Sequence, residues 1–405
     1  MRVFFLNLLT TAITLIVCVG VIEVGLRLYY FGHVSPFIGG PKLYRPDPQI
    51  GFALNPNLKS SQQRPAFIVP VTTNALGLRG PEIGPRSNKF RIALLGDSHT
   101  FGSGLADDET LPARLEVELN ALAGADRFEV VNAGSPAHST VQEYLQHERL
   151  AQKVDADLWI LCFTGENDIQ YNTAALRAQM TKGPRRPVAS LNSDGTLAFD
   201  YSGAERYFKK NKWRLEGPLK DRPWYENTAT YLRGKIAWKS FGAPSSLPDP
   251  NIVLGWPYLK EFSPEYTPPE ATPVDYEKLW QEGWDVTKAL ILAIRDRSKD
   301  LQAEFAMLSV PSDFQLKPNV KEGFLKAFPA LKVDDTHGDQ ALKAFGEANG
   351  IPMLDARTAL MKAKEKGAGD LHYTVFDSHM KPAAHKIMAK DLARQLLAQK
   401  LVPGN

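Results

Sequence analysis

Four short blocks of the 405-residue sequence carry side chains that could do chemistry. The first is residues 96–102 (GDSHTFG), in which Ser98 follows an apolar run that ends in glycine. A serine on the turn after a buried strand would lie at the edge where open α/β sheets bind ligands. Taken alone, the block also fits an ordinary helix cap, because Asp97 and Ser98 are common residues at turns and helix starts.

The other three blocks are residues 132–134 (NAG), 165–168 (GEND) and 376–379 (FDSH). Gly134 offers an unobstructed backbone N–H, and the amide of Asn167 is a neutral donor suited to a site where negative charge develops. Asp377 precedes His379 by two residues, so its carboxylate could orient the imidazole through one ring nitrogen and leave the other as a base. By itself, each block is also explained by a turn glycine, a loop asparagine or a solvated Asp and His.

Alternating strands and helices could bring these blocks together. Short apolar runs predict five strands, at residues 91–95, 128–132, 157–163, 305–310 and 351–354. Helical periodicity predicts helices between and after them, at residues 111–122, 141–151, 276–301, 341–348 and 382–399. This alternation predicts a three-layer αβα sandwich with a five-stranded parallel, flavodoxin-like sheet. Each block lies at the carboxyl end of a predicted strand or on the same edge, so all four could converge on one site.

The N-terminal segment predicts a membrane anchor. Residues 3–22 contain no charged side chain, and twenty residues at helical rise match the hydrocarbon thickness of a bilayer. A cleaved signal peptide is the competing interpretation, but the run is long and lacks an Ala-x-Ala-like exit. We therefore expect an uncleaved signal-anchor. Its orientation stays open, because Arg2 on one side opposes Arg27 and Lys42 on the other.

The chain divides into an α/β domain and three other predicted segments: an anchor at 1–31, a stalk packed on the core at 32–89, the domain itself at 90–169 and 276–400, and an insertion at 170–275. The insertion lacks the strand–helix alternation, and we expect a lid or a substrate-binding elaboration. Within it, residues 191–197 predict a hairpin with an Asp-Gly turn, and residues 229–241 predict a helix.

Composition excludes several classes of protein. The fractions of hydrophobic residues (43%) and charged residues (23%) fit a globular protein with a full core. A net charge of +3 is too small to indicate nucleic acid as a partner. Two cysteines exclude a disulfide-stapled scaffold. Residues 334–339 (DDTHGD) fit a solvated loop better than a metal site, so we predict neither a metal nor a cofactor.

In this order and spacing, the four blocks resemble those of the SGNH hydrolase (GDSL-like) superfamily, bacterial membrane-anchored type. The resemblance runs from about residue 74 to 397 without the insertion, and includes residues 73–80 (TNALGLRG) and His385. Two departures stand out: the final pair is spaced Asp-x-His where many members have Asp-x-x-His, and Ala137 replaces a frequent glycine. The first departure affects the assignment of the aspartate, and the second affects the shape of the loop rather than its chemistry.

The resemblance implies a role for each residue of the blocks. Ser98 would be the nucleophile, His379 the general base and then acid, and Asp377 the residue that orients the imidazole. The N–H groups of Ser98 and Gly134 and the amide of Asn167 would form the oxyanion hole. His99 is a poor alternative base, because neighbouring residues on a turn point apart.

The resemblance also implies an activity and a location. We expect a serine esterase that forms an acyl-enzyme and removes an O-acyl group, such as acetyl, from an envelope glycan or lipid. It would sit in the bacterial inner membrane through residues 3–22, with its soluble domain on the periplasmic or extracellular side. An O-acetyltransferase that modifies an exported polysaccharide is the alternative, slightly favoured by the Asp-x-His spacing. A non-catalytic glycan-binding or assembly protein is the second alternative, since insertion tryptophans such as Trp224 and Trp256 could stack on sugars.

Overall fold

The structure is a computed structural model that describes residues 2–31, 42–64, 67–85, 88–178, 185–212, 225, 228–231, 234, 275–327, 329, 332–373, 377 and 379–404. In chain order its helices and strands are α1 (Arg2–Phe31), β1 (Tyr44–Asp47), β2 (Gly51–Leu54), β3 (Lys59–Arg64), β4 (Phe67–Thr72), β5 (Phe90–Gly96), α2 (Ser98–Phe101), α3 (Leu111–Ala123), β6 (Phe128–Gly134), α4 (Thr140–Val154), β7 (Leu158–Phe163), α5 (Gly165–Asp168), α6 (Ala174–Ala178), β8 (Val188–Leu191), β9 (Leu197–Asp200), α7 (Ser202–Asn211), α8 (Tyr276–Asp300), β10 (Glu304–Ser309), α9 (Asp313–Leu316), α10 (Pro318–Ala327), α11 (His337–Ala348), β11 (Met353–Asp355), α12 (Arg357–Glu365) and α13 (Pro382–Ala398).

Five of the strands form one parallel sheet in the order β11–β10–β7–β5–β6. Counted along the chain within this sheet, the order is 2-1-3-4-5 read from β6, which is the flavodoxin-like arrangement and confirms the prediction. From β5 the chain continues to β6 on one side, and from β7 it continues to β10 on the other side. The strand order therefore reverses between β5 and β7, and open α/β sheets bind ligands at the carboxyl ends of the strands at such a reversal. Gly96, the last residue of β5, lies opposite Cys162 of β7 and Gly134 of β6.

Helices cover both faces of this sheet because its strands are apolar on both sides. Ile92 and Leu94 of β5 join a core with α3, α12 and α13. Ala93 and Leu95, which point the other way, join a second core with α4, α8 and α11. All six residues of β7 are buried, as a strand covered on both faces requires. The three-layer sandwich is therefore confirmed.

The predicted strands and helices of the domain agree with the structure apart from their ends. One difference has a clear cause: the strand predicted at residues 351–354 begins only at Met353. Pro352, which precedes it, has no N–H to donate to the sheet, although its carbonyl accepts a hydrogen bond from Met307 N. The hairpin predicted at residues 191–197 is also confirmed, since β8 and β9 pair antiparallel across that turn. Of the helix predicted at 229–241, residues 229–231 and 234 are described and are helical, and the others lie outside the described residues.

Residues 42–85 contain more regular structure than their composition predicts. Two antiparallel hairpins form there, β1 with β2 and β3 with β4. The side chains of Leu58 and Val71 in this region pack against Phe101 of the domain. The sequence of β3, KSSQQR, has no apolar alternation. The strand is stabilised instead by polar contacts with the domain, such as the hydrogen bond that the Gln62 amide donates to Ser103 Oγ at 2.9 Å.

Helix α1 contains the predicted anchor. It is the one helix in the described part of the chain that is long and apolar enough to cross a membrane, with a mean hydropathy of 2.4 over its most apolar window. Every side chain from residue 2 to residue 22 is exposed. A signal sequence near the N-terminus would have the same length and composition.

Candidate active site

Ser98 occupies the first position of α2, immediately after β5. The Asp97 side chain accepts a hydrogen bond from His99 N at 2.8 Å and so fixes the entry into this short helix. Ser98 is 8% exposed, at the carboxyl edge of the sheet. A glycine is required at Gly96, because a Cβ there would lie 2.2 Å from Thr100 Oγ1. The glycine before Ser98 therefore allows α2 to fold back tightly against the strand.

Asp377 and His379 form the pair that the fourth block predicts. Asp377 Oδ1 lies 2.5 Å from His379 Nδ1, and it also accepts a hydrogen bond from His379 N at 2.9 Å. Burial by itself raises the pKa of Asp377. The hydrogen bonds and the charge interaction with His379 lower the pKa by more than burial raises it, so the pKa lies below its usual value. One ring nitrogen of His379 is thus held by a carboxylate, which leaves the other available to act as a base.

Contacts between the segment that carries His379 and the segment after Ser98 bring these two residues to the same edge of the sheet. The ring of His99, next to Ser98, lies 5.3 Å from the ring of His379. Tyr373 N donates to the carbonyl of His379 at 2.9 Å, and the Tyr373 hydroxyl donates to the carbonyl of Gly104 at 2.8 Å. The structure therefore brings the predicted nucleophile and base into one neighbourhood.

The predicted oxyanion donors lie at the ends of the neighbouring strands. Gly134 ends β6 directly opposite Gly96, and a Cβ on it would lie 2.3 Å from Phe101 N. Its N–H donates to Asn132 Oδ1 at 3.0 Å, so an oxyanion would have to compete with this side chain for the donor. The backbone of Asn167 lies in α5, directly after β7, and its side chain lies outside the described part of the structure.

Arg79, from the TNALGLRG segment, has a structural role that the sequence did not reveal. Its guanidinium is buried and donates to the carbonyls of Phe101 and Gly102, at 3.0 and 2.8 Å, and to Asp107 Oδ1 at 2.7 Å. Burial lowers the pKa of Arg79 and the adjacent Asp107 carboxylate raises it, with a net value below the usual one. Arg79 thereby holds the carboxyl end of the helix that begins with Ser98.

A buried carboxyl group also lies behind the site, on α4. Glu143 is completely buried, and neither of its oxygens has a hydrogen-bond partner among the described residues. Burial raises the pKa of Glu143 well above its usual value, and the charges of Asp168 and Asp97 raise it further. Asp97 precedes Ser98 and Asp168 follows Asn167, so this acidic group lies between the two loops. A glutamate on an amphipathic helix carries no signal of burial in the sequence.

Two further histidines surround His379 and are buried as neutral groups. Burial, together with nearby positive charge, lowers the pKa of His372 and that of His385 to about 3. His385 belongs to the sequence resemblance, whereas His372 does not. Neither they nor other side chains in the described ranges form a group of three or more His, Cys, Asp or Glu that could hold a metal ion.

Comparisons with known proteins return ester hydrolases of low sequence identity. No protein-family model matches the chain, and no curated protein matches it. Among solved structures, the chain is similar to a protein assigned to the G-D-S-L lipolytic family of Desulfitobacterium hafniense (13% identity, 76% of this chain and 100% of that chain, TM-score 0.36). It is also similar to a catalytic mutant of an acetylxylan esterase from Geobacillus stearothermophilus (10%, 77% and 95%, TM-score 0.37) and to a lipase/acylhydrolase from Enterococcus faecalis (12%, 76% and 96%, TM-score 0.35).

Proposed function

We propose that this protein is a serine esterase that acts through an acyl-enzyme on an O-acyl group, such as acetyl. The observation that carries this proposal is the hydrogen-bonded pair Asp377–His379, whose ring lies against that of His99, next to Ser98. A serine hydroxyl is a poor nucleophile until a neighbouring base accepts its proton, and His379 is the base oriented for that purpose.

The reaction would proceed in two steps. In the first, Ser98 Oγ attacks the ester carbonyl, His379 takes the hydroxyl proton, and the tetrahedral intermediate then breaks the C–O bond as His379 returns the proton to the leaving alcohol. In the second, His379 removes a proton from water as the water attacks the acyl carbonyl. The bond to Ser98 Oγ then breaks, the acid is released, and His379 returns the proton to Ser98 Oγ. The oxyanion would be held by the N–H groups of Ser98 and Gly134 and by Asn167, each such donor contributing about 2.7–4 kcal/mol to the transition state.

We place this activity at the bacterial inner membrane, with α1 spanning the bilayer and the soluble domain on the periplasmic or extracellular side. The exposed apolar length of α1 supports this placement. An envelope glycan or a lipid would then carry the ester.

An O-acetyltransferase that uses the same residues is the second candidate. The Asp-x-His spacing favours it slightly, because this spacing is similar to that of polysaccharide acetyltransferases. The two activities share the acyl-enzyme and differ in whether water or a sugar hydroxyl resolves it. Full-length protein given an acetyl ester with and without an oligosaccharide acceptor separates them: acceptor-dependent turnover with little hydrolysis would contradict the esterase.

Covalent labelling by a fluorophosphonate tests the proposal directly. We expect the wild type to be labelled and Ser98→Ala to be unlabelled. Ser103→Ala is the matched control, since Ser103 is also a buried serine, five residues along the chain, and its replacement should leave labelling intact. A folded wild type that is not labelled would contradict catalysis and favour the non-catalytic glycan-binding alternative.

A further inference from the structure

The last turns of α1 are the part of this helix that packs against the rest of the protein. Glu23, Leu26 and Arg27 are half-buried, whereas the side chains from residue 3 to residue 22 are all exposed. Residues 3–22 therefore form an exposed apolar helical segment about 30 Å long. A segment of this length and composition matches the hydrocarbon core of a bilayer, which puts Glu23 at the membrane surface.

Glu23 joins the anchor helix to the insertion. Its carboxylate accepts hydrogen bonds from Ala229 N (2.8 Å), Thr230 N (2.8 Å) and Thr230 Oγ1 (2.7 Å). Ala229 and Thr230 begin a helical turn, whose first N–H groups have no partner within the helix. The next one, of Tyr231, donates to Thr228 Oγ1 at 3.1 Å. The start of this turn is therefore satisfied, and two of its three donors depend on a residue of the anchor.

The same helix is also connected to the active site. Helix α1 contacts β4, and Phe67 at the start of β4 packs against the ring of Tyr373 with 5.2 Å between centroids. Tyr373 in turn donates its backbone N–H to the carbonyl of His379. The anchor and the segment that carries the candidate base thus both contact β4.

We propose that the contact of Glu23 with Ala229 and Thr230 is a latch that holds this helical turn against the anchor and keeps the cleft at the bilayer surface. The substrate class that follows is an ester carried by a membrane-embedded amphiphile, such as an acylated glycolipid, rather than by a free polymer. This inference rests on the proposed esterase function. Confining enzyme and ester to one surface raises their effective concentration without any new contact. Exposed Tyr29 and Tyr225, near the two ends of the latch, suit the membrane–water interface.

The test compares two acetyl esters on full-length protein in phospholipid vesicles. One is water-soluble 4-nitrophenyl acetate, and the other is an O-acetylated long-chain alkyl glycoside incorporated in the same vesicles. For Glu23→Ala we expect the rate on the vesicle-borne ester to fall by about tenfold or more, with the soluble ester hydrolysed within about twofold of the wild-type rate. Thr230→Val, which removes one of the three bonds, should give a smaller loss of the same kind.

Asp275→Ala is the matched control, because Asp275 is a carboxylate that caps a different helix, α8, by accepting from Lys278 N at 3.0 Å. It should not change the ratio of the two rates. The latch would be overturned if Glu23→Ala hydrolysed each ester at the wild-type rate. It would also be overturned if the variant lost the same fraction of its rate on both esters. A wild type that hydrolyses a soluble acetylated polysaccharide faster than the vesicle-borne ester would overturn the substrate class and leave the esterase intact. A wild type that is folded but inactive on every ester would overturn the proposed function itself, and the latch with it.

Discussion

The imidazole rings of His99 and His379 lie 5.3 Å apart, at an interplanar angle of 41°. Each of the two residues is fixed by an aspartate two positions before it: Asp97 accepts from His99 N, and Asp377 accepts from both His379 N and its ring. The two turns therefore share one motif, in which an aspartate side chain accepts a hydrogen bond from the backbone N–H two residues later. Ser98 lies within the first of these turns, which is why its position relative to His379 depends on both.

Asp377→Asn should remove most of the activity while leaving the fold in place. The amide still fits the turn, but it does not stabilise the imidazolium and it favours the wrong ring tautomer. In a Ser-His-Asp site this change leaves the geometry intact and lowers kcat by about 10⁴-fold. Steady-state kinetics on a soluble acetyl ester measure it. Asp194→Asn, in the exposed β8–β9 turn, is the control, and an Asp377→Asn enzyme that keeps a tenth of the wild-type kcat would contradict the role of Asp377.

Gly134→Ala should destabilise the protein and abolish activity together. The new methyl group would lie 2.3 Å from Phe101 N and 2.7 Å from the carbonyl carbon of Thr100, both backbone atoms of α2 that do not give way easily. Overpacking of this kind costs about 1–3 kcal/mol or more. Thermal unfolding and esterase assays report the two effects. Gly84→Ala, with no atom within 4 Å of the new Cβ, should be close to wild type; a Gly134→Ala protein of unchanged stability would contradict the close approach.

Ala137→Gly should stabilise the protein. Ala137 has a φ of 63°, a left-handed conformation that costs a residue with a Cβ roughly 1–2 kcal/mol and costs glycine almost nothing. The hydrogen bond that Arg186 donates to the carbonyl of Ala137 does not involve the side chain, so it is retained. We expect a gain of about 1 kcal/mol in the free energy of unfolding, measured by chemical denaturation. Ala121→Gly, on the exposed face of α3, should instead lose about 1 kcal/mol; losses of similar size in both variants would contradict strain at Ala137.

Glu143→Gln should make the protein more stable at neutral and alkaline pH. Burial keeps Glu143 protonated in the folded state at pH values where the unfolded chain has lost that proton, since its folded pKa is raised. The wild type therefore loses stability as pH rises from the ordinary pKa of glutamate to the raised one, by up to about 1.4 kcal/mol per pH unit. Gln cannot ionise, so the advantage of the variant should grow across this range. Free energies of unfolding at several pH values measure it, and an advantage that is constant with pH would contradict the raised pKa.

The sequence predicted the central sheet because its strands are buried on both faces and therefore read as unbroken apolar runs. It did not predict β3, because the polar side chains Ser60, Ser61 and Gln62 are buried by contacts with segments distant in the chain. The burial of Glu143 was missed for a related reason, since a charged residue on a helix normally faces water. The spacing of Asp377 and His379 allowed the contact that the structure shows, but by itself it fitted a solvated pair equally well. The hydrogen bond from Gly134 N to Asn132 Oδ1 depends on a rotamer that no sequence pattern encodes.

The order of the chain through the sheet has a consequence for synthesis. β5 and α2 are made early, but the turn with His379 comes just before α13, the last helix, whose core also includes α3. On the proposed mechanism, a nascent chain therefore contains Ser98 well before it contains His379, the base that would activate it. On the same mechanism, activity is acquired only when α13 docks on the core, long after α1 has been synthesised.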